Sequence, residues 1–389
     1  MTTLARLGLE PVINAVGPAT RFGGLPLSEG VLAAMQSAIV SPVRMDELQE
    51  AAGRQLAELL GVPSCYVTSG ASAALTLATA VCASQGDPLV ADGLPHSVQH
   101  RTVLVQRAQR DPYDHAITAA GPRLVEVGYP DSTLAYELAG RIDADVVAVL
   151  WRPRLHGDVL DLPAVAEIAH AAGVPVIVDG SLHIPPVHRL RDMMAAGADL
   201  VALSGGKGFR GPQTSGLLCG RSDLIAAVAL HHQDMDIRAA TFVESQVTGR
   251  LLQHNRQGLA RGMKVAREQV LGLLTAVTEH LDDPARWLQH YERELAECAD
   301  ALRDVAALDV RSSRDEALDV PTLLVDCSQA NVSADAAVVA LQQRHPRVFV
   351  GDAEAWRGIL TINPMALGAG DGRTVGERIV DVQTQAAAP

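Results

Sequence analysis

Apolar residues recur along this chain in two rhythms. From Asp46 onward, Leu48, Ala52, Leu56 and Leu59 lie three or four apart, the spacing of one helical face. Asp46 reads as the N-cap of that helix, and Gly61 followed by Pro63 as its stop. Beyond it the rhythm changes. Short β-branched runs, nearly continuous in apolar residues, alternate with helical stretches. The runs are CYVT (65–68), TVLV (102–105), RLVEV (123–127), DVVAVL (145–150), VPVIVD (174–179), DLVALS (199–204) and SGLLC (215–219). Runs of this kind suit strands buried on both faces, and the spacing predicts helices between them, over 71–84 and 162–172. Strand and helix in alternation imply an α/β fold, a mostly parallel sheet flanked by helices.

Residues 1–44 carry few regular periods and read as an N-terminal arm, and 45–257 as a large domain. Polarity shifts after about residue 250. Helices are expected over 258–280 and 284–305, then strands at 321–326 and 358–363 around a helix at 333–343. Residues 258–389, connecting helix included, are thus expected to form a smaller α+β domain. No internal repeat is visible.

Composition narrows the function. The chain has 389 residues, 48% hydrophobic and 20% charged, enough for a sizeable core. Its formal charge of −13 comes without a basic block, which argues against nucleic acid or an anionic membrane as partner. No apolar run approaches the ~20 residues of a membrane span, and the start lacks the pattern of a secretory signal. Five scattered cysteines form neither a disulfide framework nor a zinc pattern, which suits the cytoplasm. His96, His100 and His115 show no zinc spacing, so no metal site is expected. Of 32 lysines and arginines, only Lys207 and Lys264 are lysine. Arginine stays protonated, whereas a desolvated lysine loses its proton and becomes a nucleophile or base.

In open parallel sheets, ligands bind beyond the C-terminal ends of the strands. After CYVT come Ser69, Gly70, Ala71 and Ser72, small residues opening a helix, where backbone N–H groups and the positive helix end can meet a phosphate. Alone they would pass for an ordinary turn. Asp179 ends VPVIVD, as either a helix cap or a charge kept for a ligand cation. After DLVALS comes GGKGFRGPQTSG, with Lys207 among Gly205, Gly206, Gly208 and Gly211, glycines that leave room for a ligand against the backbone. A phosphate cradle, an acid and a lysine at successive strand ends are what pyridoxal phosphate requires. The lysine condenses with its aldehyde, the acid keeps its ring nitrogen protonated, and the helix end holds its phosphate. Neither a dinucleotide GxGxxG with its later acid nor a P-loop is present.

With these residues in hand, the chain resembles the fold-type-I pyridoxal-phosphate enzymes, specifically the selenocysteine-synthase-like family of L-seryl-tRNA selenium transferases and D-glucosaminate-6-phosphate ammonia-lyase relatives. The resemblance spans about 10–270, and more faintly the C-terminus. It is carried by INAVGPATRFGG (13–24), DELQEAAGRQLAELLG (46–61), YVTSGASAAL (66–75), DPYDHA (111–116), VPVIVD (174–179), GLARGMKV (258–265) and, most specifically, SGGKGFRGPQTSG (204–216). It implies that Lys207 is the Schiff-base lysine, Asp179 the partner of the pyridine nitrogen, and Ser69 to Ser72 with Ser204 the phosphate site. Lys264 matches a family lysine of structural or substrate-side role. Three departures stand out. Gln109 replaces the family's ring-covering histidine, His183 stands where relatives carry an acid, and WRPRLHGD (151–158) places Arg152 and Arg154 at another strand end. The two arginines suit a substrate with an extra carboxylate, through bidentate pairing.

The resemblance implies a homo-oligomer, with active sites at its subunit interface, that removes the α-proton of an amino acid and eliminates a β-substituent. A racemase or epimerase is the alternative, and would need a second proton donor such as His115 or His183. A selenium transferase is disfavoured because a tRNA surface needs many cationic contacts that this chain lacks. A non-catalytic binding protein is disfavoured because both Lys207 and Asp179 are present.

Overall fold

Twelve strands form three sheets among the described residues of the computed structural model, which are 3–153, 157–234, 236 and 257–385. In chain order they are β1 (Ile13–Ala15), β2 (Ser64–Thr68), β3 (Thr102–Gln106), β4 (Arg123–Val127), β5 (Val146–Trp151) and β6 (Val176–Asp179). The rest are β7 (Leu200–Ser204), β8 (Gly216–Gly220), β9 (Asp309–Asp315), β10 (Val320–Asp326), β11 (Val348–Val350) and β12 (Ile359–Ile362). All seven apolar runs of the first half are strands of one sheet, in the order β2-β8-β7-β6-β5-β3-β4. β8 runs antiparallel to both its neighbours, and the pairs from β7 to β4 are parallel. This is the fold-type-I architecture, a mostly parallel sheet flanked by helices.

Alternate residues of each strand point to opposite faces, and both faces are buried. Leu104, Val149, Val176, Val178, Val201 and Leu203 enter one core; Val103, Val105, Ala148, Leu150, Ile177 and Ala202 enter the other. The helix α1 (Met45–Leu60) packs Ala52, Leu56 and Leu60 into the first. Gly61 ends it in the left-handed conformation, φ +69°, as the sequence predicts. Its N-cap, however, is Arg44. Asp46 lies within the first turn, where the helix dipole favours an acid, and pairs with Arg44 at 2.6 Å. The helix α2 (Ala71–Ser84) is buried from Ala73 through Ser84, which its small and apolar residues on every side permit.

The chain divides into two compact units, 27–281 and 1–26 with 282–389. The arm expected over 1–44 is therefore split. Residues 29–39 form a helix of the larger unit, capped by Ser28, while β1 pairs in parallel with β11 in the smaller one. The helix expected over 258–280 begins only at Arg267. Before it lies a 3₁₀ turn, Leu259–Gly262, and the Gln269 side chain accepts the Ala266 N–H at the helix start. A side chain on Gly258 would meet the His231 backbone at 2.4 Å, so the chain there is packed against its neighbour instead of coiled. In the smaller unit, β10 is central to an antiparallel sheet with β12 and β9 on its edges. β9, DVRSSRD, is polar and largely exposed, and no apolar run marks it. No helix among the described residues is long and apolar enough to cross a membrane.

The contact of α1 with β2 gives a stability test. A Cβ on Gly53 would lie 2.3 Å from the Cys65 carbonyl oxygen. Helix propensity alone would favour Gly53→Ala by about 1 kcal/mol, whereas overpacking a rigid backbone costs about 1–3 kcal/mol. The clash is expected to win, so thermal unfolding of Gly53→Ala should show a lowered midpoint.

Candidate active site

Lys207 follows β7 by three residues, in a loop that turns the chain back into antiparallel β8. Gly205 N–H donates to the Ser215 carbonyl and Gly211 N–H to the Gly205 carbonyl, both at 2.9 Å, so the loop closes on itself. Its glycines serve that closure. A Cβ on Gly205 would meet Ser215 Oγ at 2.3 Å and Leu273 at 2.6 Å, and one on Gly208 would meet Pro185 at 2.4 Å. The space expected for a ligand is thus filled by the protein's own packing, and what the loop presents is the lysine. Lys207 is half-buried. Burial pushes its amine below the ordinary lysine range, while the negative charges of Asp179 and Asp111 pull the other way and only partly offset it.

Asp179 ends β6, in the sheet position beside β7, and is 9% exposed. Its Oδ1 accepts the Ser181 N–H and its Oδ2 the Arg152 Nε–H, each at 3.2 Å. Arg152 directly follows β5, in the adjacent sheet position, and is buried. Its Nη1 donates to Asp114 Oδ1 at 2.7 Å and to the Gln109 carbonyl at 2.8 Å. Gln109 in turn grips the Arg152 backbone, donating from Nε2 to its carbonyl at 2.6 Å and accepting its N–H at Oε1 at 3.1 Å. Burial pushes the Asp114 carboxyl up, but the bonds from Arg110, the Asp111 N–H and Arg152 outweigh it and hold the group below its usual range. Arg152 is therefore engaged with the chain's own carboxylates and not held ready for a substrate acid, as the sequence alone suggested.

The small residues after β2 form the N-terminus of α2. Gly70 is its N-cap, φ +145°, and no side chain caps the first turn. A Cβ on Gly70 would meet nothing within 4 Å, while one on Gly216, behind it, would meet Gly70 carbons at 2.6–2.7 Å. Ser69 and Ala71 are half-buried and Ser72 is exposed. Ser204 ends β7 opposite Gly216. His183 sits half-buried in the turn after Asp179, and His115 is exposed at the start of a short helix. Arg154 lies outside the described residues. Lys264 is exposed and lines a separate cavity of about 750 Å³ with Arg44, Tyr66, His232 and Arg261. No group of side chains able to hold a metal ion occurs among the described residues.

These residues fit pyridoxal phosphate. A desolvated amine suits its aldehyde, a buried carboxylate with open acceptor positions suits its ring nitrogen, and an open, uncapped helix start suits its phosphate. Similarity searches agree with that chemistry. Residues 43–247 match the aminotransferase class-V family, and the chain belongs to it. It is a pyridoxal-phosphate-dependent enzyme acting on a small amino-acid substrate.

Over 97% of its length the chain is 30% identical to a 5'-C-glycyluridine monooxygenase-decarboxylase from Streptomyces sp, covering 90% of that protein. Over 98% of both chains it is 26% identical to the D-glucosaminate-6-phosphate ammonia lyase of Salmonella typhimurium. A solved structure of a D-glucosaminate-6-phosphate ammonia-lyase superposes over the whole chain with a TM-score of 0.82 at 25% identity, covering 99% of that structure. Identity to L-seryl-tRNA(Sec) selenium transferase from Klebsiella pneumoniae is 28%, over 65% of this chain and 59% of that one. Full-length likeness to the lyase, in sequence and in structure, supports ammonia-lyase chemistry. The expected family is thus borne out.

Two expectations follow for Lys207. Borohydride reduction of the cofactor-loaded protein should leave the pyridoxyl label on Lys207; a label on Lys264 would reassign the site. In the cofactor-free protein, the rate of cofactor capture should rise with pH as the amine loses its proton. It should level off below the ordinary lysine pKa of about 10.4, because burial lowers this one.

Proposed function

We propose that the protein is an ammonia lyase that removes the α-proton of a β-substituted amino acid with Lys207 and releases ammonia. The observation that carries this reading is the whole-length likeness to an ammonia lyase, combined with a desolvated amine at the end of β7. When bound, pyridoxal phosphate supplies the electron sink that makes the α-hydrogen acidic. Lys207 Nζ would accept that proton, the β-substituent would leave C3 with its electron pair, a proton would return to C3, and water would replace the nitrogen released as ammonia. Asp179 would face the cofactor's ring nitrogen. Ser69, Gly70, Ala71, Ser72 and Ser204 would hold the phosphate, while Gln109, fully buried with its amide spent on the Arg152 backbone, supports Arg152 instead of covering the ring as the sequence suggests. The substrate side is assigned to His183, His115 and Arg154, which leaves Arg152 to the support of Asp179. Five cysteines, all buried and none in a disulfide, support a reducing, cytoplasmic setting. A homodimer or larger homo-oligomer, with sites at its subunit interface, completes the reading.

A second reading is favoured by one observation, the name of the Streptomyces relative at 30% identity. On it, the amino acid would lose its carboxylate with consumption of dioxygen. The two readings separate cleanly. With β-hydroxy amino acids in deuterated water, elimination should yield ammonia and a 2-oxo acid deuterated at C3, with no uptake of oxygen. Carbon dioxide release coupled to oxygen uptake would establish the second reading instead. Return of both enantiomers deuterated at the α-carbon, without oxo acid, would mean racemisation.

Asp179→Asn tests the acid. Loss of the ion pair to the ring nitrogen should slow α-proton exchange by two or more powers of ten, at about 1.4 kcal/mol for each. Cofactor should still bind. Near-normal exchange would reduce Asp179 to a turn residue serving Ser181.

A further inference from the structure

Arg152 is tied down more completely than a substrate-binding arginine needs to be. β5 and β6 run parallel with Trp151 beside Val178, which sets Arg152 next to Asp179. Asp114, Gln109 and Asp179 take Nη1 and Nε, and the Gln109 amide fixes the backbone on which the side chain stands. The remaining nitrogen, Nη2, is buried with no partner among the described residues. An unpaired buried donor costs stability, so the needs of the fold do not explain this arginine. On the other side of the contact, Arg152 and Ser181 occupy two of roughly four acceptor positions on the Asp179 carboxylate. No further hydrogen bond to that carboxylate occurs among the described residues.

We propose that Arg152 is a positioning residue for the cofactor: it fixes the Asp179 carboxylate in the place and orientation in which it pairs with the protonated ring nitrogen. The inference rests on Asp179 being the partner of that nitrogen. The Arg152 guanidinium at Oδ2 and the Ser181 N–H at Oδ1 clamp both oxygens of the carboxylate, so its orientation is set before a ligand arrives. The other charges nearby do not compete for that clamp. Asp114 lies at the Nη1 end of the guanidinium and is shared with Arg110, and Lys207, on β7's side, has its charge disfavoured by burial. Lysine could not replace this arginine, because an ammonium lacks the planar fork that reaches Asp114 and Asp179 at once.

The test compares the wild-type protein with Arg152→Gln and Arg152→Lys, each stripped of cofactor and reloaded with pyridoxal phosphate carrying ¹⁵N in its ring. Absorbance titration gives the affinity, and the nitrogen chemical shift reports where the proton lies. Arg152→Gln should bind at least about tenfold more weakly, equivalent to about 1.4 kcal/mol, with its nitrogen signal moved towards unprotonated pyridine. Arg152→Lys should keep the pyridinium signal and still bind more weakly, since it retains charge without the fork. Wild-type affinity and an unmoved signal in Arg152→Gln would overturn the proposal. If melting curves show that Arg152→Gln does not fold, wild-type affinity in Arg152→Lys would overturn it equally. An unchanged ring signal in Asp179→Asn would instead remove the assignment of Asp179, on which the inference stands.

Discussion

A charge that water cannot reach has to be balanced by the chain itself, and that constraint organises the end of the sheet. Arg152 is 4% exposed. Stripping one partner from a buried ion pair costs about 3–5 kcal/mol, so Arg152, Asp114 and Asp179 cannot vary independently. Gln109 belongs to the same unit, because it satisfies the backbone N–H and carbonyl of the residue that carries the charge. Four side chains, from the end of β6 and from the segments after β3 and β5, are thereby locked into one arrangement. Asp179 inherits its rigidity from that lock.

Lys207 obeys the opposite rule. Its loop is held by backbone bonds and by glycines packed too closely for any side chain, so the amine is carried on a stiff hairpin. No salt bridge fixes it among the described residues. Two carboxylates favour its charged form, yet burial outweighs them. An amine that is rigidly carried but not ion-paired is free to react, which an amine locked like Arg152 would not be.

Much of this was legible in the sequence, and the physical reasons divide what was from what was not. The seven strands of the large sheet announced themselves because burial on both faces demands continuous apolar runs; β9 did not, because DVRSSRD lies on a solvated edge. Lys207, Asp179 and the Ser69–Ser72 turn stood out because each follows an apolar run directly. Asp114 was missed. In DPYD it looks like the capping box it also forms with Asp111, and nothing local shows that its other oxygen reaches an arginine 38 residues on. Arg152 stands out in the sequence but reads there as a substrate ligand, since its partners come from other segments of the chain. Pairing across a sheet depends on strand order, which periodicity does not encode.

Strand order is also what turns three separate residues into a site. In sequence the small-residue turn, the acid and the lysine appear in that order, with more than a hundred residues between the first two. In the sheet, β8 folds back between β2 and β7, so the order across the strand ends becomes turn, lysine, acid. Neighbouring strands lie about 4.8 Å apart. Lys207 therefore rises from the strand next to Asp179's and two steps from the start of α2, between a positive helix end and a buried carboxylate. A ligand anionic at one end and cationic at the other is oriented by that polarity alone, with its middle presented to the amine. The antiparallel hairpin that carries Lys207 is what creates this order, because a parallel crossover after β7 would not have returned the chain to the edge of β2.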